Sequence, residues 1–396
     1  MLFVTYGGGH VNAIFPVIKE LQQTTEWEIT TLGLTTAGNV LKKEGIPYIG
    51  FKDLIEPTVD NYALEIGSLL ANESDNSKVP YEESVAYLGL SYVDLEKRHG
   101  KQEASKLYKE QGRQAFLPLS ILERLIKKVN PNVIVTTNSP RAEQATVMTA
   151  KKFSIPCVCL VDLFAVDEFP RLAQKGYGNR ICVITNRVKE KLISAGRTEE
   201  EIVVTGNPAF DKLADETIPQ KARIFRNEKK WDNKKTILWA SQPNVEQPQL
   251  PRMIEAELLE LLNGHEDWHI VFRPHPSEQI VYNHLPERVT ISDTNDELPV
   301  LIKAVDMVLT MTSTVGLESV LIGKPLVTVD IGSYIASVPY SEMGLSYGVS
   351  HLHDLEKGIL LALSGENNLY RKAVLPELGK AAERVSNVIK QLSAGE

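Results

Sequence analysis

Within the 396-residue sequence, Thr310–Asp330 reads TMTSTVGLESVLIGKPLVTVD: an apolar strand, a hydroxyl-rich turn, a carboxylate-bearing helix and a second apolar strand. That order suits a nucleotide. The turn Thr312-Ser313-Thr314 caps a helix over Val315–Ile322, and the first amides of a helix lack carbonyl partners, so they favour a phosphate. Glu318 lies one turn further on, where its carboxylate could accept hydrogen bonds from a ribose diol. The plainer alternative has Glu318 completing a capping box with Ser313 or Thr314.

Other loops carry groups of the same kind. In HIVFRPHPSE (269–278) two prolines stop an apolar strand, and Arg273 and His275, two residues apart, project to one side. An arginine fork and an imidazole donor fit a phosphate, although the pair could instead tie a surface loop to a carboxylate. The turn Gly7-Gly8-Gly9-His10 follows the first strand, LFVTY, and opens a helix. Its glycines let the backbone approach a phosphate, carboxylate or sugar, and a helix N-terminus favours the neutral imidazole at His10, which suits a general base. A tight turn whose histidine bonds to backbone is the alternative. GxGxxG is absent, and no acidic residue follows the second strand, which disfavours a dinucleotide.

Asp162 ends PCVCLVD and is a second acid–base candidate, with Asp167 and Glu168 clustered beyond it. Ser241, in Ser241-Gln242-Pro243-Asn244, ends a strand and either contacts a ligand or only turns the chain. In TTNSPRAEQA (136–145), Ser139 reads as an N-cap with Pro140 at the first helical position, and Glu143 as a surface charge complementing the helix dipole. TGNPAFD (205–211) reads as shape alone. Cys157, Cys159 and Cys182 sit in apolar runs, and CxC with one distant third cysteine is a poor metal pattern, so no metal is expected.

These loops need a scaffold of alternating strands and helices. Strand signals at 2–6, 28–34, 47–51, 132–138, 156–163, 181–186 and 202–206 alternate with helices at about 11–23, 36–44, 140–153 and 187–195. A second series opens at TILWAS (236–241) and runs through HIVFRP, VTISD, MVLT and LVTVD. The expected fold class is α/β, two doubly wound, Rossmann-like parallel-sheet domains. The expected divisions are 1–213, with a helical insertion at about 60–130 interrupted at Asn72–Lys78; an interdomain segment 214–235; 236–375; and a C-terminal helix, 376–396, placed to cross back to the first domain. A net charge of −8 argues against general nucleic-acid binding. No signal-peptide pattern opens the sequence and no run of about eighteen apolar residues occurs, so a cytoplasmic protein is expected.

The combination of GGGH after the first strand, TGNP, RPHP and TSTVGLESVLIGKPLV, in order over nearly the whole chain, resembles the GT-B superfamily of nucleotide-sugar glycosyltransferases, with sugar-nucleotide 2-epimerase and CDP-glycerol transferase relatives. The resemblance implies two domains facing a central cleft and no metal or other cofactor. It implies that Ser313, Thr314, Gly316 and Glu318 hold phosphate and ribose, that Arg273 and His275 help with phosphate, and that His10 or Asp162 meets an acceptor. Gly-Asp-Thr and Ala-Gly-Leu-Arg, found in the epimerases, are replaced here by TTNSPRAEQA and LVDLFAVDEF, which places epimerisation second. The expected activity is thus glycosyl transfer from a nucleotide-sugar donor to a saccharide, lipid-linked or other glycoconjugate acceptor in bacterial polysaccharide synthesis, with peripheral contact at the membrane's inner face. The alternatives are a UDP-GlcNAc 2-epimerase-like enzyme acting on the sugar nucleotide alone, or a transferase of a CMP-linked acidic sugar or CDP-glycerol.

Overall fold

The computed structural model describes residues 1–72, 78–278, 280–365 and 375–395. The chain divides into two compact units, Met1–Asp211 with Lys380–Glu396, and Lys212–Gly379. Each is built on a six-stranded, wholly parallel sheet.

In the first unit the strands are β1 (Leu2–Thr5), β2 (Thr30–Gly33), β3 (Ile134–Thr137), β4 (Cys157–Leu160), β5 (Arg180–Val183) and β6 (Ile202–Val204), in the spatial order β2-β1-β3-β4-β5-β6. Nearly every strand residue is buried, as a sheet covered on both faces requires. The covering helices include α1 (Gly9–Thr24), α2 (Ala37–Lys43) and the last helix, Ala381–Ala394. Val385 and Ile389 of that last helix join Val11, Ile14 and Ile18 of α1 in one apolar cluster. Asp211 fixes where the helix starts, accepting from the amides of Ala381 at 2.9 Å and Ala382 at 2.8 Å. The strand expected at 47–51 is not formed. Ile49 makes a single bridge to Leu32, and the chain then turns at Lys52–Leu54.

The insertion folds as helices α3 (Asn61–Asn72), α4 (Tyr81–His99), α5 (Lys101–Gln111) and α6 (Leu119–Val129). The expected interruption at Asn72–Lys78 falls largely on 73–77, outside the described residues. Helices α3 and α4 cross closely because glycines meet there: a Cβ on Gly89 would stand 1.8 Å from the Ala63 carbonyl oxygen, and one on Gly67 2.1 Å from that of Val85. Between β3 and β6 run α7 (Ala142–Lys152), the short α8 (Phe169–Leu172) and α9 (Asn186–Ser194).

The second unit begins with α10 (Ile218–Glu228), which packs Ala222 against Val300 and Ala304 of α12 (Leu298–Ala304). Its strands are β7 (Lys235–Ala240), β8 (Trp268–Arg273), β9 (Val289–Ile291), β10 (Met307–Thr310), β11 (Leu326–Val329) and β12 (Tyr347–Val349), ordered β12-β11-β10-β7-β8-β9. Helix α11 (Leu250–Leu261) follows β7, and α13 (Thr314–Leu321) joins β10 to β11. Winding reverses between β1 and β3 in the first unit and between β7 and β10 in the second. Crevices at such switch points, beyond the carboxyl ends of the strands, are where open α/β sheets bind ligands.

Replacing a mid-helix glycine by alanine ordinarily stabilises a helix by about 1 kcal/mol. For Gly89→Ala the opposite sign is expected, a loss of about 1–3 kcal/mol from overpacking against Ala63. Urea unfolding decides it: a midpoint equal to or above wild type would contradict the close α3–α4 crossing.

Candidate functional site

At the first unit's switch point, the turn after β1 depends on its glycines. A Cβ on Gly7 would lie 1.8 Å from Thr36 Oγ1, so no side chain fits. Gly8, at φ +70°, sits where side-chain-bearing residues are strained, and it serves as the N-cap of α1. A Cβ on Gly9 would stand 3.9 Å from Asp162 Oδ2, so its absence leaves room beside that carboxylate. His10 then enters the helix with Nδ1 at 2.8 Å from Thr137 Oγ1, at the end of β3, and 4.0 Å from Asp162 Oδ2.

Behind His10 lies Glu143, which has no exposed surface. Its Oε1 accepts from the Tyr6 amide at 2.7 Å, and its Oε2 from the Ser139 amide at 3.2 Å and from the Thr137 hydroxyl. Burial pushes the Glu143 carboxyl up, opposed by His10 and by those three donors. The Thr137 hydroxyl has one proton and gives it to Glu143, so it receives from His10. The imidazole proton is therefore on Nδ1, and Nε2 is the basic nitrogen. Asp162 is held as firmly: its Oδ1 accepts from Asn138 Nδ2 at 3.1 Å and from the Leu163 amide at 2.9 Å, and its own amide donates to Asn138 Oδ1 at 3.2 Å. The Asn207 amide side chain of TGNP reaches the Asp162 carbonyl at 2.7 Å. That motif positions the acid–base candidate.

In the second unit, Gln242 after β7 and Thr312 after β10 span the switch point. Gln242 Nε2 donates to Thr312 Oγ1 at 2.6 Å, and the Thr312 amide to Gln242 Oε1 at 3.3 Å. Ser313 caps α13, its hydroxyl accepting from the Val315 amide at 3.3 Å. The wholly buried Tyr340 closes the same helix start: its hydroxyl takes the Leu317 amide at 3.2 Å and donates to the Ser313 carbonyl at 2.7 Å. Together with Gly316 N bonding Ser313 O at 3.0 Å, this leaves the amides of Ser313 and Thr314 without a hydrogen bond among the described residues.

Arg273 ends β8 with Nη1 on Ser292 Oγ at 3.0 Å, and it is near enough to Glu318 for their charges to interact. The Glu318 carboxylate makes no hydrogen bond among the described residues. Burial raises its carboxyl, opposed by Lys212 and Arg273. It does not close a capping box. His275 is exposed, and the Ser277 amide donates to its Nδ1 at 3.2 Å, which leaves the Nε2–H as a donor facing outward. Its loop is anchored by Glu278, which accepts from the His275 amide at 2.8 Å, from Ser241 Oγ at 3.2 Å and from Arg252 Nη2 at 3.0 Å.

Several sequence expectations need correction. Ser241 is buried in that Glu278–Arg252 network and shapes the loop, with no free face for a ligand. Gly316 is buried against Leu326, Thr310 and Tyr340, where a Cβ would be 3.2 Å from each, so its smallness serves packing. Ser139 is not the N-cap of α7: the helix starts at Ala142 behind Arg141 at φ 70°, and Glu143 is an interior carboxylate rather than a surface charge. The contacts of Tyr340 with α13, of Gln242 with Thr312 and of Arg252 with Glu278 escaped sequence reading because the partners are far apart in the chain. Among the described residues no group of three His, Cys, Asp or Glu side chains is arranged to hold a metal, and no helix is long and apolar enough to cross a membrane.

Two six-stranded parallel sheets covered by helices define a GT-B fold. The match in structure runs through the whole chain. A UDP-GlcNAc 2-epimerase from Neisseria meningitidis bound to UDP-GlcNAc superposes with a TM-score of 0.58 at 15% identity over 98% of this chain and 99% of that one. The Methanocaldococcus jannaschii UDP-GlcNAc 2-epimerase in complex with UDP-GlcNAc and UDP gives 0.57 at 15% over 98% and 99%. The glycotransferase of kitacinnamycin gives 0.58 at 13% over 98% of each chain. No curated protein sequence matches the chain. The family model of UDP-N-acetylglucosamine 2-epimerase matches residues 99–389, and the chain belongs to that family. The order of the two expected activities is thereby reversed, with epimerisation ahead of transfer.

The unpaired Glu318 gives a pH-dependent prediction. A carboxyl raised on folding holds its proton more tightly in the folded state, so stability falls as pH rises from 4.5, the ordinary glutamate value, through the raised one. Glu318→Gln removes that loss. Its melting temperature relative to wild type should climb across this window and stay high near neutrality; parallel melting curves would show that Glu318 is not desolvated.

Proposed function

We propose that the protein acts on a UDP-activated N-acetylhexosamine and changes the configuration at C2 of the sugar. The observation that carries this reading is the family match across residues 99–389. The site geometry supports it. In the second unit, Arg273 and the amides of Ser313 and Thr314 would bind the diphosphate, with His275 Nε2–H as an outward donor and Glu318 as acceptor for the ribose diol. The charge that develops on the nucleotide as its bond to the sugar weakens would be met there by a guanidinium and unpaired backbone donors.

In the first unit, changing C2 requires a proton to leave that carbon and one to return. His10 Nε2 is left basic by the Thr137–Glu143 arrangement, and Asp162 stands beside it with a fixed carboxylate. The proton is conserved overall, so this reading asks for no cofactor and no metal.

One observation favours a second reading, transfer to an acceptor hydroxyl. The family match begins at residue 99 and leaves out the His10 turn, where an imidazole base suits deprotonation of a hydroxyl. A lipid-linked acceptor would then draw the protein to a membrane surface.

Proton NMR of UDP-GlcNAc incubated with the protein in deuterated water separates the two. Epimerisation predicts deuterium at C2 and a second set of anomeric signals with no acceptor present, both lost in Asp162→Asn. No exchange, with UDP released only when an acceptor is added, would replace epimerisation by transfer.

A further inference from the structure

A cavity of about 290 Å³ opens in the first unit between the outward face of α7 and the chain that follows α8. Its wall carries Lys151, Arg171 and Lys175, the carboxamides of Gln144 and Gln174 and the phenol of Tyr177, and among the described residues it includes no carboxylate. Glu168, outside the wall, is the nearby acid that senses Arg171.

The wall is held from behind. Arg197, 3% exposed, donates through Nη1 to the carbonyls of Gln174 at 2.7 Å and Tyr177 at 3.2 Å and through Nη2 to that of Gly178 at 3.0 Å, while its Nε pairs with Glu201 at 3.0 Å. A buried guanidinium thus fixes the loop on the cavity's edge. Gly176, at φ +79°, has no side chain to block Lys151, whose ammonium would be 2.9 Å from a Cβ there and donates to the Lys175 carbonyl at 3.2 Å. Tyr177 is 7% exposed and lies beside the Arg171 guanidinium, and among the described residues neither its hydroxyl nor Arg171 Nε has a partner at hydrogen-bond geometry.

Three cations without an acid in the wall call for an anion of more than one charge. Two carboxamides and a phenol suit hydroxyl groups, and the volume is close to the lower end of the usual small-ligand range of about 300–1,000 Å³. We propose that this cavity is a second small-molecule site, for a phosphomonoester of monosaccharide size. It is wired to the first unit's acid–base pair: Arg171 Nη2 donates to the Asn138 carbonyl at 3.1 Å, and the Asn138 side chain pairs with Asp162. A phosphate drawing on Arg171 therefore acts on the residue that positions Asp162. This coupling rests on the role proposed for Asp162, whereas the binding does not.

Calorimetric titration of the full chain with glucose 6-phosphate tests the site without reference to activity. One site is expected, weakened at least about tenfold in Lys151→Met/Lys175→Met, a change of two exposed side chains, and unaltered in Arg273→Ala. Equal binding in the double variant, loss in Arg273→Ala, or no binding at millimolar concentration would each overturn the site. Inorganic phosphate binding as tightly as glucose 6-phosphate would overturn the sugar part of the assignment. For the coupling, glucose 6-phosphate should change the rate of C2 exchange in wild type and not in the double variant; an unchanged rate with intact binding overturns it.

Discussion

Parallel pairing sends every strand of a sheet toward the same edge, so the loops leaving those strands gather where the winding reverses. Everything of chemical interest here depends on that constraint. His10 leaves β1 and Asn138 leaves β3, the two strands that flank the first reversal; Gln242 leaves β7 and Thr312 leaves β10, the two that flank the second. Buried groups behind each edge then decide which polar atoms stay available. Glu143 uses the amides of Tyr6 and Ser139 and sets the imidazole of His10 through Thr137, while Tyr340 uses the Leu317 amide and leaves those of Ser313 and Thr314.

The two edges solve different problems. In the second unit the free groups named among the described residues are donors with one unpaired carboxylate, the set on which the proposed nucleotide site rests. In the first unit the carboxylates and imidazole are held by several close partners, which is what the proton transfer proposed for them requires. Glu143 illustrates the cost of such fixing. A wholly buried carboxyl is unfavourable unless donors converge on it, and the donors come from the residue after β1, from the end of β3 and from the loop after it.

The α/β class and the β10–α13–β11 unit were legible in the sequence because local signals agree there: an apolar run, a hydroxyl cap and a Gly-Lys-Pro turn. The Ser313 cap lies where the spacing put it. The role of Glu143 was not legible. Helix dipole arguments make an acidic residue near a helix start ordinary, and its partner Tyr6 is 137 positions away in the chain. The same holds for Tyr340, which closes α13 from 27 residues beyond the Ser313 carbonyl it binds. The 47–51 segment failed as a strand for the opposite reason: its local pattern is right, but the structure gives it one bridge and no ladder. Sequence resemblance ranked transfer above epimerisation on motifs missing from 136–145 and 160–169, and the family match reversed that ranking.

The claim on which the account stands is that the second unit binds the nucleotide through Arg273. Calorimetry of UDP binding to wild type and Arg273→Ala tests it most directly. Removing a guanidinium that pairs with phosphate should weaken binding by about 1.5–3 kcal/mol, on the order of tenfold to a hundredfold in Kd, with the unfolding midpoint unchanged. Undiminished affinity for UDP in a folded Arg273→Ala variant would contradict it.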